Sequence, residues 1–263
     1  MLLTDKTVVV YAAGGAIGGA VARAFAREGA RVYLTGRHLE SVQRVAKDIV
    51  ASGGSAEAAQ LDALDESAVE RHLDGVIAQA GKVDVSFNAI GIPQQGIQGI
   101  PLIELSVESF ALPVTTYARS QFVTARAAAR PMLAQGSGVI LMHTPEPARL
   151  GAPLVGGMGP AWAAMEGLSR GLSAELGSHG VRVVCLRTTG IPETATIDVV
   201  FGLHAKTIGI SREQFQSLIE DRTHRRRSTT LAELANVAAF VASDRASAMT
   251  GTVANLTGGA IVD

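Results

Sequence analysis

The sequence predicts an α/β protein, a doubly wound and mostly parallel sheet with helices on both faces. Three observations carry that expectation. Apolar runs without alternation, beginning with TVVVYA at 7–12, suit strands buried on both faces. Segments with apolar residues at helical spacing follow these runs in turn. No linker or repeat interrupts the pattern, so one domain over 1–263 is expected.

After the first strand comes a Gly-rich turn and then AIGGAVARAFAREG, where Ile17, Val21, Ala24 and Phe25 share a helix face and Gly29 stops the helix. ARVYLTG (30–36) is the second strand, and LESVQRVAKDIVASGG is a helix ended by paired glycines. The strand AEAAQLD (56–62), the helix DESAVERHLDGVIAQAG and the strand VDVSFNAIG (83–91) follow. GSGVILMHT (136–144) and GVRVVCLRT (180–188) are further strands, separated by a helix from about Pro160 to Leu176.

Two connections are long. Residues 91–106 precede a helix running to about Leu133, and residues 188–230 form a lid-like insertion with enough apolar residues for short helices. Such loops tend to be functional, and in an open α/β sheet they belong beyond the carboxyl ends of the strands, where ligands bind. Phe201, Leu203, Ile208, Ile210 and Phe215 call for burial there.

Composition narrows the partners. Acidic and basic residues nearly cancel, 24 against 23, so the basic footprint of a nucleic-acid-binding protein is missing. The one dense basic run, His224 to Arg227, reads first as a solvated loop or subunit contact. Cys185 is the sole cysteine, in the apolar run VRVVCL, which excludes a disulfide scaffold and suits a buried strand position in a reducing, cytoplasmic setting. No apolar stretch has the length of a membrane span, and the N-terminus is wrongly ordered for a signal peptide. A soluble protein acting on a small molecule is expected, with no metal ligands assigned.

Four markers stand in order at strand and helix ends: GAIGGAVARAFAREGARV, Asp62, the NAIG of Asn88–Gly91, and FVASDRASAMTGTVANLTGG near the C-terminus. Over essentially its whole length the chain resembles the short-chain dehydrogenase/reductase family, which implies a Rossmann-type sheet and a nicotinamide dinucleotide cofactor. The family's turn reads Gly-x-x-x-Gly-x-Gly. Here Ala12 and Ala16 take the first two glycine places and Gly18 the third, while Gly14 and Gly15 keep the loop pliable. The resemblance assigns Gly14, Gly15, Ile17 and Gly18 to the cofactor turn. It gives Asp62 to the adenine, Asn88 to the pocket floor and Ile191 to the nicotinamide amide, although Thr188-Thr189 replaces the usual Pro-Gly before it. The second strand ends in LTGRH without an acid, and Arg37 can pair with a 2′-phosphate, which favours NADP(H).

The family's proton-transfer residues are absent. Its Tyr falls at Met158, its Lys one helical turn on at Trp162, its Ser at Thr144 or Pro145, and its Asn at Tyr117. No shift of alignment restores them, since Tyr11, Tyr33 and Tyr117 are the only tyrosines and no Lys lies between Lys82 and Lys206. A thioether and an indole N–H do not exchange protons at useful pH. Thr144 as hydrogen-bond donor, His143 with its ordinary pKa near 7, and the Tyr117 hydroxyl are the candidates for what is left. Neighbouring strand residues point to opposite faces, so His143 and Thr144 are not expected to share the pocket. Glu146 and Arg149, in the loop that follows, either bind substrate or face water.

Three readings stay open. The first is an atypical NADP(H)-binding oxidoreductase acting on a small or hydrophobic carbonyl or alcohol. The second is a non-redox isomerase, lyase or cyclase using the same pocket. The third is a non-catalytic subunit. Members of the family commonly form dimers or tetramers through the helices that correspond to 107–133 and 160–176, where Ala125, Ala127, Ala128, Ala163 and Gly167 would permit close packing in a homo-oligomer.

Overall fold

The computed structural model describes residues 1–262. Its strands are β1 (Thr7–Tyr11), β2 (Arg31–Gly36), β3 (Ser55–Gln60), β4 (Val85–Asn88), β5 (Gly138–Pro145), β6 (Val181–Thr188) and β7 (Thr252–Leu256). They form one sheet in the order β3-β2-β1-β4-β5-β6-β7. Every pairing is parallel, so the expected mostly parallel sheet is wholly parallel among the described residues. The order reverses between β1 and β4, and the crevice at such a switch point is where α/β sheets hold ligands.

The helices are α1 (Ala16–Arg27), α2 (Leu39–Ala51), α3 (Glu66–Ala80), α4 (Val107–Gln135), α5 (Met158–Leu176), α6 (Ala195–Ile208), α7 (Arg212–Asp221) and α8 (Leu231–Ala242). Strand alternation sorts the side chains into two buried layers. Val8, Val10, Leu34, Phe87, Leu141 and Leu186 meet Phe25 of α1 and Leu234 of α8 on one face. Val9, Tyr11, Ile140, Met142 and Cys185 meet Leu73 of α3, Met132 of α4 and Met165 of α5 on the other. The Cys185 thiol is fully buried, and burial pushes its pKa up to about 12, so it behaves as a small apolar group.

Element ends differ slightly from the sequence reading. β5 runs on to Pro145 because it pairs with β6 to the end, Pro145 opposite Thr188. α5 begins at Met158, ahead of Pro160, which occupies the first turn where a missing N–H costs no helical bond. The 188–230 insertion does form helices, α6 and α7, each with a side-chain N-cap, from Thr194 and Ser211. They pack edge to face through Phe201 and Phe215, with ring centroids 5.3 Å apart. Ile208 departs from expectation: it is 47% exposed.

Two further expectations meet the structure here. Arg225 and Arg227 both pair with Glu233, and Arg226 pairs with Asp221, which makes the basic run part of a local surface network. Ala125, Ala127 and Ala128 are buried inside the chain, leaving only Ala163 and Gly167 of the five small residues exposed. The three alanines therefore do not offer an outer packing face, because α4 turns that side toward its own sheet and α5. Among the described residues no helix is long and apolar enough to cross a membrane.

Candidate active-site cleft

A cavity of about 640 Å³ opens at the carboxyl ends of the strands and runs from the β1–α1 turn to α6 and α7. The turn end is built by backbone. Ala12 holds φ at +56°, the left-handed conformation that glycine adopts freely and that costs another residue about 1–2 kcal/mol. Gly15 caps α1 with no side-chain bond, no acid stands in the first turn, and Gly15, Ala16 and Ile17 line the cavity, which leaves this helix start without a side-chain partner. A Cβ on Gly14 would collide with Ser41, and one on Gly18 would come to 2.5 Å from the Ala12 carbonyl oxygen. These residues fit a dinucleotide pyrophosphate: the left-handed turn survives at Ala12, and the glycines that must lack a side chain do so.

Of the cofactor residues expected from sequence, Gly14, Gly15, Ile17, Arg37, Asn88 and Ile191 line this cavity. Gly18 does not; it is buried and lets α1 pack against the turn. Asp62 does not line it either. It is exposed at the end of β3, accepts a hydrogen bond from the Leu64 amide at 3.0 Å, and borders a separate depression with Asp65, Glu66 and Arg119. Asn88 is fully engaged. Its Nδ2 donates to Ser120 Oγ at 2.9 Å and Thr124 Oγ1 at 3.0 Å, and its Oδ1 accepts from the Ile90 amide, which ties β4 to α4. Thr189, where glycine is usual, accepts from the Thr229 amide at 2.8 Å and so anchors the backbone ahead of Ile191.

At the other end Met158 and Trp162, one turn apart on α5, are both buried and both line the cavity. The strand register settles the neighbouring position. His143 and Pro145 face the cavity, whereas Thr144 does not. Thr144 is fully buried on the α5 side, where Oγ1 donates to Glu166 Oε1 at 3.0 Å. Glu166 is in turn bound by Arg187 through Nε at 2.8 Å and Nη2 at 2.7 Å. The expectation that Thr144 bonds a substrate carbonyl is therefore corrected: alternation along β5 turns it into a structural network.

The titratable groups on the wall differ sharply. His143 Nε2 lies 2.9 Å from Thr188 Oγ1, and burial pushes the imidazole down to about 4, so at neutral pH it is uncharged. Burial pushes the Tyr117 phenol up to about 12, with the Ile92 backbone working the other way, so it keeps its proton. Glu146, 7% exposed, sits in the short turn Glu146–Ala148 between two prolines. Burial pushes its carboxyl up to about 7 against the opposing effect of Arg222, and its Oε2 has no hydrogen-bond partner. Arg149 is exposed and outside the lining.

A polar chain under the lid-like segment escaped sequence reasoning. His204 of α6 shares a hydrogen bond with Gln98 at 3.1 Å, Gln98 donates to Gln94 at 2.6 Å, and Gln94 donates to the Ile92 carbonyl at 2.5 Å. Nothing in a Gln-rich loop and a lone helix His signals that they meet across more than a hundred residues. Glu146 carried a weak signal, an acid between prolines just past a strand end.

A wholly parallel sheet with a glycine turn at its switch point and a cleft at its strand ends defines an α/β protein of the Rossmann type. Comparison with known proteins makes this specific: a family model described as enoyl-(acyl carrier protein) reductase matches residues 12–260, and the chain belongs to the short-chain dehydrogenase/reductase family of oxidoreductases. It is 30% identical to the uncharacterized oxidoreductase YxbG of Bacillus subtilis, over 98% of this chain and 91% of that one. It is 28% identical to an A-factor type gamma-butyrolactone 1'-reductase of Streptomyces virginiae, over 98% and 96%. Among solved structures, NAD+-bound xylitol dehydrogenase superposes with a TM-score of 0.92 at 25% identity, over 98% of this chain and all of that one. A structure described as an NAD(P)-dependent gluconate 5-dehydrogenase from Beutenbergia cavernae, with bound NADP at low occupancy, gives 0.86 at 31% identity over 98% and 97%.

Proposed function

We propose that this chain is an NADP(H)-binding oxidoreductase that interconverts a small or hydrophobic carbonyl compound and its alcohol, without the Tyr–Lys pair usual in its family. The observation that carries the reading is the continuity of the cleft, from the Gly14–Gly15 turn and Arg37 to Met158 and the segment around Phe201. A phosphate-binding turn and an apolar chamber in one cavity suit a dinucleotide with an apolar substrate beside its reactive end. When bound, the nicotinamide supplies or accepts a hydride; Gly15 and the α1 amides hold the pyrophosphate, and Ile191 and Thr188 border the chamber.

Arg37 is the ground for choosing NADP(H). It is exposed just past β2 on the cavity wall, and a guanidinium is a suitable partner for a 2′-phosphate. Relatives of both cofactor types exist, so the choice rests on this residue. Calorimetric titration with NADPH and then NADH is the test, with tighter NADPH binding expected. Arg37→Ala should weaken NADPH about tenfold, the ~1.4 kcal/mol of one charge-assisted contact, and leave NADH unchanged. Absence of binding by either dinucleotide would sink the oxidoreductase reading.

A further inference from the structure

Glu146 is the only carboxylate on the wall of the cleft among the described residues. Its Oε2 is buried with no hydrogen-bond partner, an arrangement that costs about 1–3 kcal/mol and that a leucine would avoid. The side chain is also firmly mounted. Pro145 and Pro147 restrict the backbone on either side, and the Glu146 carbonyl accepts from the Arg149 and Leu150 amides, both at 3.0 Å. The turn packs against α5. This sets Glu146 one residue beyond Pro145, one of the two positions open for the family's Ser, and on the same cavity as Met158, the position that corresponds to its Tyr.

The other titratable groups on the wall do not compete for the role. His143 is uncharged and shares a hydrogen bond with Thr188, Tyr117 holds its proton, and His204 is engaged with Gln98. Arg37 and His38 stand at the end of β2 beside the cofactor turn. Arg222, just past α7, is the one charge that acts on Glu146. The N-terminal part of α5 facing the cavity, Met158, Trp162 and Met165, carries no titratable group.

We propose that Glu146 is the proton-transfer residue of this cleft, donating from its carboxyl to the substrate's carbonyl oxygen on reduction and taking that proton back from the alcohol on oxidation. The proposal rests on the oxidoreductase reading above. The step balances: with a reduced nicotinamide dinucleotide as reductant, a hydride goes to the carbonyl carbon and the dinucleotide is oxidised. The π pair of the C=O bond takes the Glu146 proton to form O–H. The resulting carboxylate faces Arg222 and regains a proton from solvent. A positioned acid of this kind is worth about 10²–10⁴-fold in rate.

A test that needs no substrate uses the charge of the nicotinamide. The ring is positive in NADP+ and neutral in NADPH, and a nearby positive charge favours a carboxylate over a carboxyl. Calorimetry at pH 7 in buffers of different ionisation enthalpy should show NADP+ binding releasing a few tenths of a proton more than NADPH binding, an order of magnitude set by a group that is about half ionised there. In Glu146→Gln both dinucleotides should bind and the difference should vanish, while Glu146→Asp should keep part of it. In the unaltered protein, affinity for NADP+ relative to NADPH should rise as pH increases through 7. Turnover of NADPH with a panel of aldehydes and ketones should fall about 10²–10⁴-fold in Glu146→Gln with the NADPH Kd unchanged. An equal proton release in the unaltered protein and in Glu146→Gln, or none in either while both dinucleotides bind, overturns the role of Glu146. Failure of the unaltered protein to bind any dinucleotide overturns the oxidoreductase reading and the proposal with it.

Discussion

The turn end of the cleft is built from backbone, with Ala12 in a left-handed conformation and no acid in the first turn of α1; the α5 end is built from apolar side chains, Met158, Trp162 and Met165. Ala12 adopts a left-handed φ of +56°, and Gly15 leaves the first turn of α1 without a side-chain cap. Met158 and Trp162, buried on the cavity wall, stand at the positions where the family resemblance leads one to expect a phenol and an ammonium. The difference teaches which part of such a site is made by shape and which by functional group. A phosphate is bound by backbone amides, so an added methyl is tolerated wherever the turn can still form. A proton-transfer group has no such latitude, because a side chain without an exchangeable proton cannot do the work.

The comparison can be broken most severely at the turn. Gly18→Val places a Cβ 2.5 Å from the Ala12 carbonyl oxygen and 3.0 Å from the Ala13 Cα, both backbone atoms. Denaturant unfolding should register a loss of roughly 3 kcal/mol, with dinucleotide binding abolished. Normal stability in this variant would show that the α1–turn contact is not what fixes the site.

At the strand end, the half-buried His143 sharpens the contrast through pH. Its folded pKa lies near 4, below the ordinary value of 6.5, so the unfolded chain binds the proton more readily. Its contribution is therefore present above pH 6.5 and is lost as pH falls toward 4, by an amount on the order of 2–3 kcal/mol. His72 and His204, both pushed down by burial, act in the same direction, so the test is a difference. The His143→Asn variant should lose part of the acid slope of stability between pH 6.5 and 4; an unaltered slope would count against a neutral imidazole.

The smallest effect is expected at Thr144. Thr144→Val removes the bond to Glu166 while keeping the volume, and should cost about 1–2 kcal/mol of stability with NADPH affinity unaltered. A large fall in turnover with stability intact would return Thr144 to the substrate side of the strand.

Much of the molecule was readable along the chain. The apolar runs, the helix faces and the stop glycines placed β1 to β6 and α1 to α5 to within a few residues, because each depends on neighbours in sequence, whereas α8 and β7 were not assigned. That the only tyrosines are Tyr11, Tyr33 and Tyr117 and that no Lys lies between Lys82 and Lys206 was equally plain, since an absent side chain needs no structure to be noticed. Less was readable where one residue of register decides which face a side chain takes. Thr144 and Pro145 were both open as the Ser position, and Asp62 and Gly18 were expected on a wall that neither lines.

The sequence by itself determined the parallel α/β class, the glycine turn and the lack of any titratable side chain from Gly151 to Met165, because residue type and short-range periodicity carry that information. Only the tertiary structure decided that Thr144 turns into the network with Glu166 and Arg187. It also decided that Glu146 borders the cleft with one carboxyl oxygen buried and partnerless, and that His204 meets Gln98 across the lid-like segment. The physical reason is that burial, and with it the protonation of a carboxyl or an imidazole, is set by side chains distant in sequence that meet only once the sheet has closed.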